Sequence, residues 1–363
     1  MKTPWYIVGG GIIGLLSAYE LTLAGESVVI FDRQSVGNEA SWAGGGILSP
    51  LYPWRYPEAV DPLAHWSQVR YPELAASLGR ATGIDPEWIR SGMLILDAPD
   101  SQAGLDWCRV RGVAAQLLDP DTVLELEPGL RTGPSPTLSL PEVAQVRNPR
   151  FLKALVRHLR SLGVEFREGT AVTGFGFSGK RLSGIHTSSG ALPADRCLVA
   201  AGPWSASLLA TVGVDLPLRP VKGQMLVLRG ASAPFSHILL RESRYLIPRR
   251  DGRILVGSTQ EEEGFDKSTT PAARELLLTA ACAMVPELRD WQVEYHWAGL
   301  RPGSPDGVPY IGEHPDIAGL FVNTGHFRNG IVLAPASARL IVDLMLARPA
   351  LLDPSQFSLI RTC

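Results

Sequence analysis

The stretch WYIVGGGIIG at residues 5–14 carries an apolar run directly into the pattern G-x-G-x-x-G. In such a pattern Gly9 allows a tight turn, and Gly11 lets the backbone approach a pyrophosphate. Gly14 lets the following helix pack closely on the strand before it. The N–H groups at the start of that helix attract negative charge. The pattern therefore predicts a strand, a turn and a helix that together bind a phosphate-bearing ligand.

The next residues complete a β-α-β unit. A helical pattern covers residues 12–24 and ends at Gly25, and a β-branched run follows at 28–31. Asp32 follows Gly14 by 18 residues, at a place where a carboxylate accepts hydrogen bonds from ribose hydroxyls. This context predicts an α/β fold with a dinucleotide site, although an unrelated α/β protein can carry a similar glycine turn. The motif does not distinguish NAD(P) from FAD, and its single copy predicts one dinucleotide.

The composition is that of a globular protein. The 363 residues are 45% hydrophobic and 19% charged, a balance that excludes intrinsic disorder for the bulk of the chain. Lysine and arginine total 34 against 36 aspartate and glutamate, so the positive charge typical of nucleic-acid binders is missing. We therefore expect no nucleic-acid partner. At roughly 100–200 residues per domain, the length predicts two domains.

Cysteines and apolar segments indicate the compartment. The four cysteines are far apart and form no C-x-x-C pair, so neither a zinc site nor a disulfide framework is predicted. The apolar run at residues 5–8 lacks the features of a signal peptide. Longer apolar stretches are interrupted well before the ~20 residues that span a bilayer. We expect a cytoplasmic protein without a metal site and without membrane contact.

Two further regions point to a ligand site and a second domain. The loop SWAGGGILS at residues 41–49 contains three successive glycines, which would let backbone N–H groups approach a flat ring or a phosphate. A flexible surface loop is the alternative interpretation of the same residues. Strand-like runs at 224–228, 238–240, 245–248 and 253–256 predict an antiparallel sheet.

Three motifs in the last quarter of the chain accompany the glycine-rich segments: WAGLRPG at 297–303, DGVPYIG at 306–312 and GHFRNGI at 325–331. In this combination the sequence resembles the FAD-dependent amine and D-amino-acid oxidase family over nearly its whole length, and within it the branch that oxidises glycine for thiamine biosynthesis. The resemblance implies non-covalent FAD and oxidation of glycine, sarcosine or small D-amino acids to the imine. Water would release an oxo acid (glyoxylate from glycine) and ammonia, and oxygen would be reduced to hydrogen peroxide.

The chemistry of such an oxidation calls for a carboxylate clamp that aims the substrate Cα–H at the flavin. The planar guanidinium of Arg301 can bind a carboxylate through two hydrogen bonds, and we expect Arg301 in a loop that follows a strand. A surface arginine in a turn is the alternative. Tyr245 matches the family's tyrosine that reaches the substrate carboxylate; without that match, a strand aromatic is more often a core residue. Arg328 matches the family's second arginine near the substrate and flavin.

No side chain is predicted to act as a catalytic acid or base, because hydride transfer from a neutral amine needs none. His326 as a general base is the alternative; we expect only its backbone to act, with amides of residues 326–332 near the electron-rich edge of the flavin. Val172 would contact adenine through its backbone or be an ordinary core valine. The full set of predicted cofactor-binding residues is Gly9, Gly11, Ile12, Ile13, Gly14, Asp32, Arg33, Ala40, Ser41, Gly44, Gly45, Gly46, Ile47, Val172, His326, Phe327, Arg328, Asn329, Gly330, Ile331 and Val332.

Two features bear on cofactor attachment and substrate range. No cysteine occurs within residues 291–312, where covalent-flavin relatives carry theirs, so non-covalent attachment is implied. Gln260 replaces an apolar side chain that glycine-oxidising relatives can carry near the pocket. Discrimination of a methyl group is worth only about 1–3 kcal/mol, so the order of preference among glycine, sarcosine and small D-amino acids stays open.

The predicted architecture is an α/β (α+β) protein of two domains. A Rossmann-like FAD-binding domain comprises residues 1–85, 145–216 and 310–363, and an antiparallel-sheet substrate-binding domain comprises residues 86–144 and 217–309. Two alternative functions remain: a D-amino-acid dehydrogenase of the same fold that passes electrons to a quinone or a partner, and an FAD-binding protein without catalysis. The resemblance also implies a homo-oligomer, a tetramer.

Overall fold

The computed structural model describes residues 3–361. Its strands, in chain order, are β1 (Trp5–Val8), β2 (Val28–Phe31), β3 (Ile89–Arg90), β4 (Met93–Leu96), β5 (Gln116–Leu118), β6 (Thr137–Leu140), β7 (Ala144–Gln145), β8 (Glu165–Arg167), β9 (Val172–Ser178), β10 (Arg181–Thr187), β11 (Gly190–Pro193), β12 (Cys197–Val199), β13 (Arg219–Arg229), β14 (Ile238–Arg241), β15 (Arg244–Pro248), β16 (Arg253–Gly257), β17 (Gln292–Gly303), β18 (Tyr310–Glu313) and β19 (Leu320–Thr324). Its helices are α1 (Ile12–Leu23), α2 (Ala40–Ala43), α3 (Val60–Thr82), α4 (Ser101–Arg111), α5 (Pro120–Leu126), α6 (Asn148–Ser161), α7 (Ser205–Ala210), α8 (Pro271–Met284) and α9 (Gly330–Met345).

A six-stranded sheet carries the predicted β-α-β unit. Its strand order is β18-β19-β12-β1-β2-β8, and all neighbouring pairs are parallel except β18 with β19. Helices α1, α3, α6 and α9 share one apolar core with this sheet. The antiparallel meander β9–β11 packs through a second core. The predicted Rossmann-like α/β arrangement is therefore confirmed.

An eight-stranded sheet of order β17-β13-β16-β15-β14-β4-β6-β5 forms the second layer. The four predicted strand runs lie in β13 to β16, which are antiparallel to one another where they pair. One pair departs from the prediction, because β4 and β14 are parallel. A parallel pair needs a long crossover, and more than a hundred residues separate these strands in the sequence. Helix α8 packs on one face of the sheet, and the other face is directed towards the six-stranded sheet.

The expectation that Arg301 lies in a loop is wrong, because β17 continues to Gly303. Glycine and proline usually end a strand, but β17 is an edge strand with β13 as its neighbour in the sheet. Pro302 faces Pro220 across that pair. Proline is tolerated at a sheet edge, where its missing N–H is not needed by a further strand. Arg301 is thus placed by strand geometry opposite Val221.

Helix α9 begins at Gly330, whereas the helical pattern in the sequence predicts a last helix over residues 334–346. The local sequence pattern does not predict the earlier start, because Pro335 lies inside the helix. Its ring nitrogen cannot donate the usual hydrogen bond to the carbonyl of Ile331. The hydroxyl of Tyr71 donates to this carbonyl instead, so the helix continues through the proline. Among the helices of residues 3–361, none has both the length and the hydrophobicity to cross a bilayer.

Candidate active site

One cleft lies between the two large sheets, and it collects most of the residues predicted from the sequence. All predicted cofactor-binding and substrate-binding residues line it except Gly14 and Val332. Gly14 packs behind the turn, where a Cβ atom would overlap the carbonyl oxygen of Gly9. Val332 is buried in the core of the helical layer. Lining residues that the sequence analysis missed include Leu51, Thr170, Pro203, Trp204, Gly223, Met225 and Ser258.

The glycine turn at the carboxyl end of β1 forms the floor of the cleft. Gly9 has φ +107, and a Cβ atom there would overlap the carbonyl oxygen of Ala200, so only glycine fits. The Asp32 carboxylate accepts a hydrogen bond of 2.8 Å from the N–H of Gly10, and burial raises the Asp32 pKa. Ser41 Oγ accepts a hydrogen bond of 2.9 Å from the N–H of Ile12. These contacts tie the turn to the end of β2 and to α2.

Aromatic and charged side chains cover one end of the cleft. The Arg33 guanidinium lies 3.6 Å from the ring centroid of Trp204, and Arg33 pairs with Glu39 at 3.1 Å. The Trp204 ring also stacks on Phe265 with centroids 5.5 Å apart. Lys267 reaches Glu39 from the same segment as Phe265, at 3.0 Å. Trp204 could have been found from the sequence, because the apolar run at residues 197–201 ends at Gly202 and Trp204 follows two positions later.

The glycine-rich loop predicted at residues 41–49 forms one wall of the cleft. The Asn148 amide Nδ2 donates to the carbonyl oxygens of Ser41 and Gly44, at 2.8 and 3.0 Å. Gly46 has φ +81, and a Cβ atom there would overlap the carbonyl oxygen of Val146. The loop is therefore braced from behind by the chain that leads into α6. Its surface towards the cleft is mostly main chain. The contacts behind it favour an ordered wall over the alternative of a flexible surface loop.

The opposite wall is the open face of the eight-stranded sheet, and it carries Arg301. The Nη2 of Arg301 donates to Ser258 Oγ at 2.7 Å, and Nη1 donates to the carbonyl oxygen of Thr259 at 3.2 Å. A Cβ atom at Gly223 would overlap the guanidinium, so this glycine makes room for it. Burial lowers the Arg301 pKa to about 10, and the side chain therefore stays cationic at neutral pH. It pairs with no carboxylate among residues 3–361.

Tyr245 faces the glycine-rich loop from the same wall. Its side chain is 6% exposed, and its hydroxyl lies 3.7 Å from Met225 Sδ. A Cβ atom at Gly45 would lie 3.1 Å from the Tyr245 ring, and one at Gly257 would lie 2.5 Å from it. Two glycines therefore give Tyr245 its position between the walls. A phenol beside a thioether leaves its O–H available for a stronger acceptor.

Arg328 and His326 lie where the chain turns into α9. Arg328 Nη1 donates to Gln260 Oε1 at 3.3 Å. The His326 ring is buried, with Nε2 3.0 Å from Ser337 Oγ. Burial lowers the His326 pKa to about 3, so the ring is neutral at physiological pH and is held by α9. This geometry favours a structural role for the imidazole over the alternative of a general base.

Buried polar atoms at this end of the cleft fit a bound cofactor. Within residues 3–361, Asn323 Oδ1, Arg328 Nη2 and Asn329 Nδ2 are buried without a hydrogen-bond partner. A buried polar group without a partner costs free energy, and a ligand with donors and acceptors would remove that cost. The described residues contain no group of three or more His, Cys, Asp or Glu that could hold a metal ion. The fold and the cleft define a dinucleotide-dependent protein whose cleft also contains the cationic side chains of Arg301 and Arg328.

Comparison with known proteins agrees with this class. The family described as FAD dependent oxidoreductase matches residues 5–344, and the chain belongs to this family. It is 48% identical to the glycine oxidase of Pseudomonas aeruginosa, over 97% of each chain. It is 35% identical to the bifunctional protein ThiO/ThiG of Synechocystis, over 94% of this chain and 51% of that protein. The crystal structure of glycine oxidase from Geobacillus kaustophilus superposes with a TM-score of 0.94 at 32% identity, over 99% of this chain and 98% of that one.

Proposed function

We propose that the protein is an FAD-dependent glycine oxidase, which converts glycine, and also sarcosine and small D-amino acids, to the imine with reduction of oxygen to hydrogen peroxide. The observation that carries the proposal is the cationic Arg301, which is half-buried in the cleft with Tyr245, opposite a wall of main chain, and pairs with no carboxylate in the part of the chain that the structure describes. The glycine oxidases among its relatives support the same substrate class. The similarity to a ThiO/ThiG protein supports a role in supplying the glycine imine for the thiazole of thiamine.

Substrate binding is the task of the sheet wall. Arg301 is held by Ser258 and Thr259, so its guanidinium meets a carboxylate in a fixed orientation. Charge-assisted hydrogen bonds of this kind are worth about 1.5–3 kcal/mol each. The hydroxyl of Tyr245 donates to the same carboxylate, and Arg328 adds positive charge nearby. A small amino acid is thereby oriented with its Cα towards the glycine-rich wall, and orientation is a large part of catalysis.

Cofactor binding is the task of the glycine-rich wall. The N–H groups at the start of α1 would hold the pyrophosphate, and Gly44, Gly45 and Gly46 would lie against the ring system. The unpartnered Arg328 Nη2 and Asn329 Nδ2 would donate hydrogen bonds to it. When bound, FAD supplies the two-electron acceptor that oxidises the amino acid and then reduces oxygen. The amine must reach this step neutral, and the proposal assigns no side chain as a base.

The proposal is tested by oxygen consumption and peroxide formation with glycine, sarcosine and D-alanine. We expect turnover with at least one of them and one peroxide per oxygen consumed. If the flavin is reduced but oxygen reacts slowly while an artificial dye is reduced quickly, the protein is instead a dehydrogenase that passes electrons to a quinone or a partner. If no amino acid reduces the flavin, the non-catalytic alternative is favoured.

The proposal includes the organisation of the chain. We propose an FAD-binding domain of residues 1–85, 145–216 and 310–363 and a substrate-binding domain of residues 86–144 and 217–309, which the separation of the two large sheets supports. We also propose non-covalent FAD, a cytoplasmic location and a homotetramer. Cys108, Cys197 and Cys282 are free thiols, which supports a reducing compartment. Sedimentation of the purified protein tests the tetramer.

A further inference from the structure

A buried arginine outside the substrate pocket connects the two walls of the cleft. Arg249 follows β15 directly and is 9% exposed. Tyr245, Ile247 and Arg249 alternate along the chain and therefore share one face of the strand. The first two pack against Gly45, because a Cβ atom there would lie 3.1 and 3.0 Å from their side chains. Arg249 continues this row beneath the glycine-rich loop.

All three hydrogen bonds of the Arg249 guanidinium end on neutral oxygen atoms. Nη2 donates to the carbonyl oxygen of Gly45 at 2.7 Å. Nη1 donates to Gln145 Oε1 at 2.7 Å and to the carbonyl oxygen of Val146 at 3.1 Å. The Gln145 amide is itself oriented, since its Nε2 donates to Ser91 Oγ at 3.1 Å. One guanidinium thus joins the loop at Gly45 to the chain at 145–146.

Within residues 3–361, no carboxylate neutralises the positive charge of Arg249 at hydrogen-bond distance. The nearby carboxylates of Glu87 and Asp251 pair with Arg147, at 3.2 and 2.8 Å. Burial is the main influence on the Arg249 pKa and lowers it to about 10, so the group is protonated at neutral pH. A charge in a low-dielectric interior acts strongly over short distances, and Gly45 lines the cleft. The charge behind Gly45 therefore favours negative charge inside the cleft.

We propose that Arg249 is a positioning residue for the cofactor: it fixes the Gly44–Gly46 wall relative to Tyr245 and places an uncompensated positive charge behind that wall. Its hydrogen bonds set the shape of the site, and its charge raises the reduction potential of the bound flavin. Substitutions of Arg249 separate the two effects. Arg249→Lys retains the positive charge with fewer hydrogen-bond donors, and Arg249→Met removes both the charge and the donors. The proposal requires FAD as the cofactor and does not depend on glycine as the substrate.

The test measures flavin properties without any amino-acid substrate. FAD dissociation from the holoenzyme is followed by the flavin fluorescence released on dilution, and the midpoint potential is measured against a reference dye. We expect Arg249→Met to raise the FAD Kd by about tenfold or more, as the loss of three hydrogen bonds implies, and to lower the potential. Arg249→Lys should have an intermediate Kd and a potential near that of the wild type.

A neighbouring arginine provides the control. Arg250 lies in the same turn, and its exposed side chain pairs with Asp85 at 2.8 Å. Arg250→Met removes one positive charge from the turn without touching the loop, and it should change neither Kd nor potential by more than about twofold. An Arg249→Met protein with the Kd and potential of Arg250→Met would overturn the proposal.

If Arg249→Met does not fold, a third variant tests the effect of the Arg249 charge. Gln145→Glu keeps an oxygen acceptor at 145 and neutralises the guanidinium with a carboxylate. We expect this protein to retain the wild-type melting temperature and FAD Kd within a few-fold and to have a lower flavin potential. A wild-type potential in Gln145→Glu, together with a wild-type Kd in Arg249→Lys, would refute the proposal. Failure of the wild type to oxidise glycine would contradict the proposed function and leave these flavin measurements interpretable.

Discussion

The two walls of the cleft use opposite means of recognition. The glycine-rich wall, formed by the turn at Gly9 and the loop at Gly44–Gly46, presents main chain. A Cβ atom at Gly9 or Gly46 would collide with other backbone, and one at Gly45 would crowd the side chains of the sheet wall. The sheet wall presents the side chains of Met225, Tyr245 and Arg301. Main chain suits a large ligand that must lie close to the backbone, whereas oriented side chains suit a small charged one. We therefore expect changes to the first wall to affect FAD and changes to the second to affect the amino acid.

The largest effect is expected from Gly9→Ala. The alanine must adopt φ +107 and overlap the carbonyl oxygen of Ala200, which displaces the turn that approaches the cofactor. We expect the purified protein to contain little or no FAD, measured as flavin absorbance per chain. Gly25→Ala is the control, because Gly25 also has a positive φ of +81 but no neighbour within 4 Å of a Cβ atom. It should lose about 1–3 kcal/mol of stability and keep its flavin. Full flavin in Gly9→Ala would contradict the account of this wall.

The next effect is expected from Arg301→Met on the sheet wall. Loss of two charge-assisted hydrogen bonds to the carboxylate, at about 1.5–3 kcal/mol each, should lower kcat/KM for glycine by about 100-fold or more. FAD content should stay at the wild-type level. Arg219→Met is the control, since Arg219 lies on β13 with its side chain exposed and paired with Glu262 at 3.1 Å. If Arg301→Met lost FAD and retained its kcat/KM, the division of tasks between the walls would be wrong.

A smaller effect is expected from Tyr245→Phe. The ring that packs on Gly45 and Gly257 is retained, and only the hydroxyl is removed. One hydrogen bond is worth about 0.5–1.5 kcal/mol, so KM for glycine should rise by roughly three-fold to ten-fold. Steady-state oxygen uptake measures this change. A fall in kcat with an unchanged KM would mean that the hydroxyl acts in the transition state and does not simply bind the carboxylate.

The smallest effect is expected from His326→Gln, on the way in which the stability of the fold depends on pH. Burial lowers the His326 pKa in the folded protein to about 3, whereas an unfolded histidine titrates near 6.5. Between these values the unfolded chain binds more protons than the folded one, so stability falls as the pH falls from about 6.5 towards 3. His326→Gln should reduce this dependence of the melting temperature on pH. The exposed His65→Gln is the control and should retain the wild-type slope. An unchanged slope in His326→Gln would mean that other groups cause the acid sensitivity.

The sequence predicted the glycine-rich wall better than the sheet wall. The reason is how far apart along the chain the interacting residues lie. The turn at residues 9–14 forms from consecutive residues, so its signature is local, and the structure has the predicted strand, turn and helix there. Arg301 was expected in a loop because glycine and proline precede the end of β17. Only its place at a sheet edge allows the strand to continue. The start of α9 depends likewise on Tyr71, 260 residues before Ile331.

The residues that hold the glycine-rich wall from behind cannot be found from a local sequence pattern. Asn148 contacts residues more than 100 positions earlier, and Arg249 contacts Gly45 across 204 positions. Neither residue belongs to a motif that composition or spacing identifies. Trp204 differs from them, because a glycine after an apolar strand marks the carboxyl end of a parallel sheet, where ligands bind. The apolar run at residues 197–201, which ends at Gly202, has this pattern two positions before Trp204.

The most direct test mixes the holoenzyme with glycine under anaerobic conditions and follows the visible flavin band. We expect glycine to bleach the band in the wild type and air to restore it with formation of peroxide. We expect Arg301→Met, with its FAD still bound, to be bleached at least about 100-fold more slowly at the same glycine concentration. Equal rates of bleaching in the two proteins, or no bleaching of the wild type, would contradict the claim that the sheet wall binds the amino acid for oxidation at the glycine-rich wall.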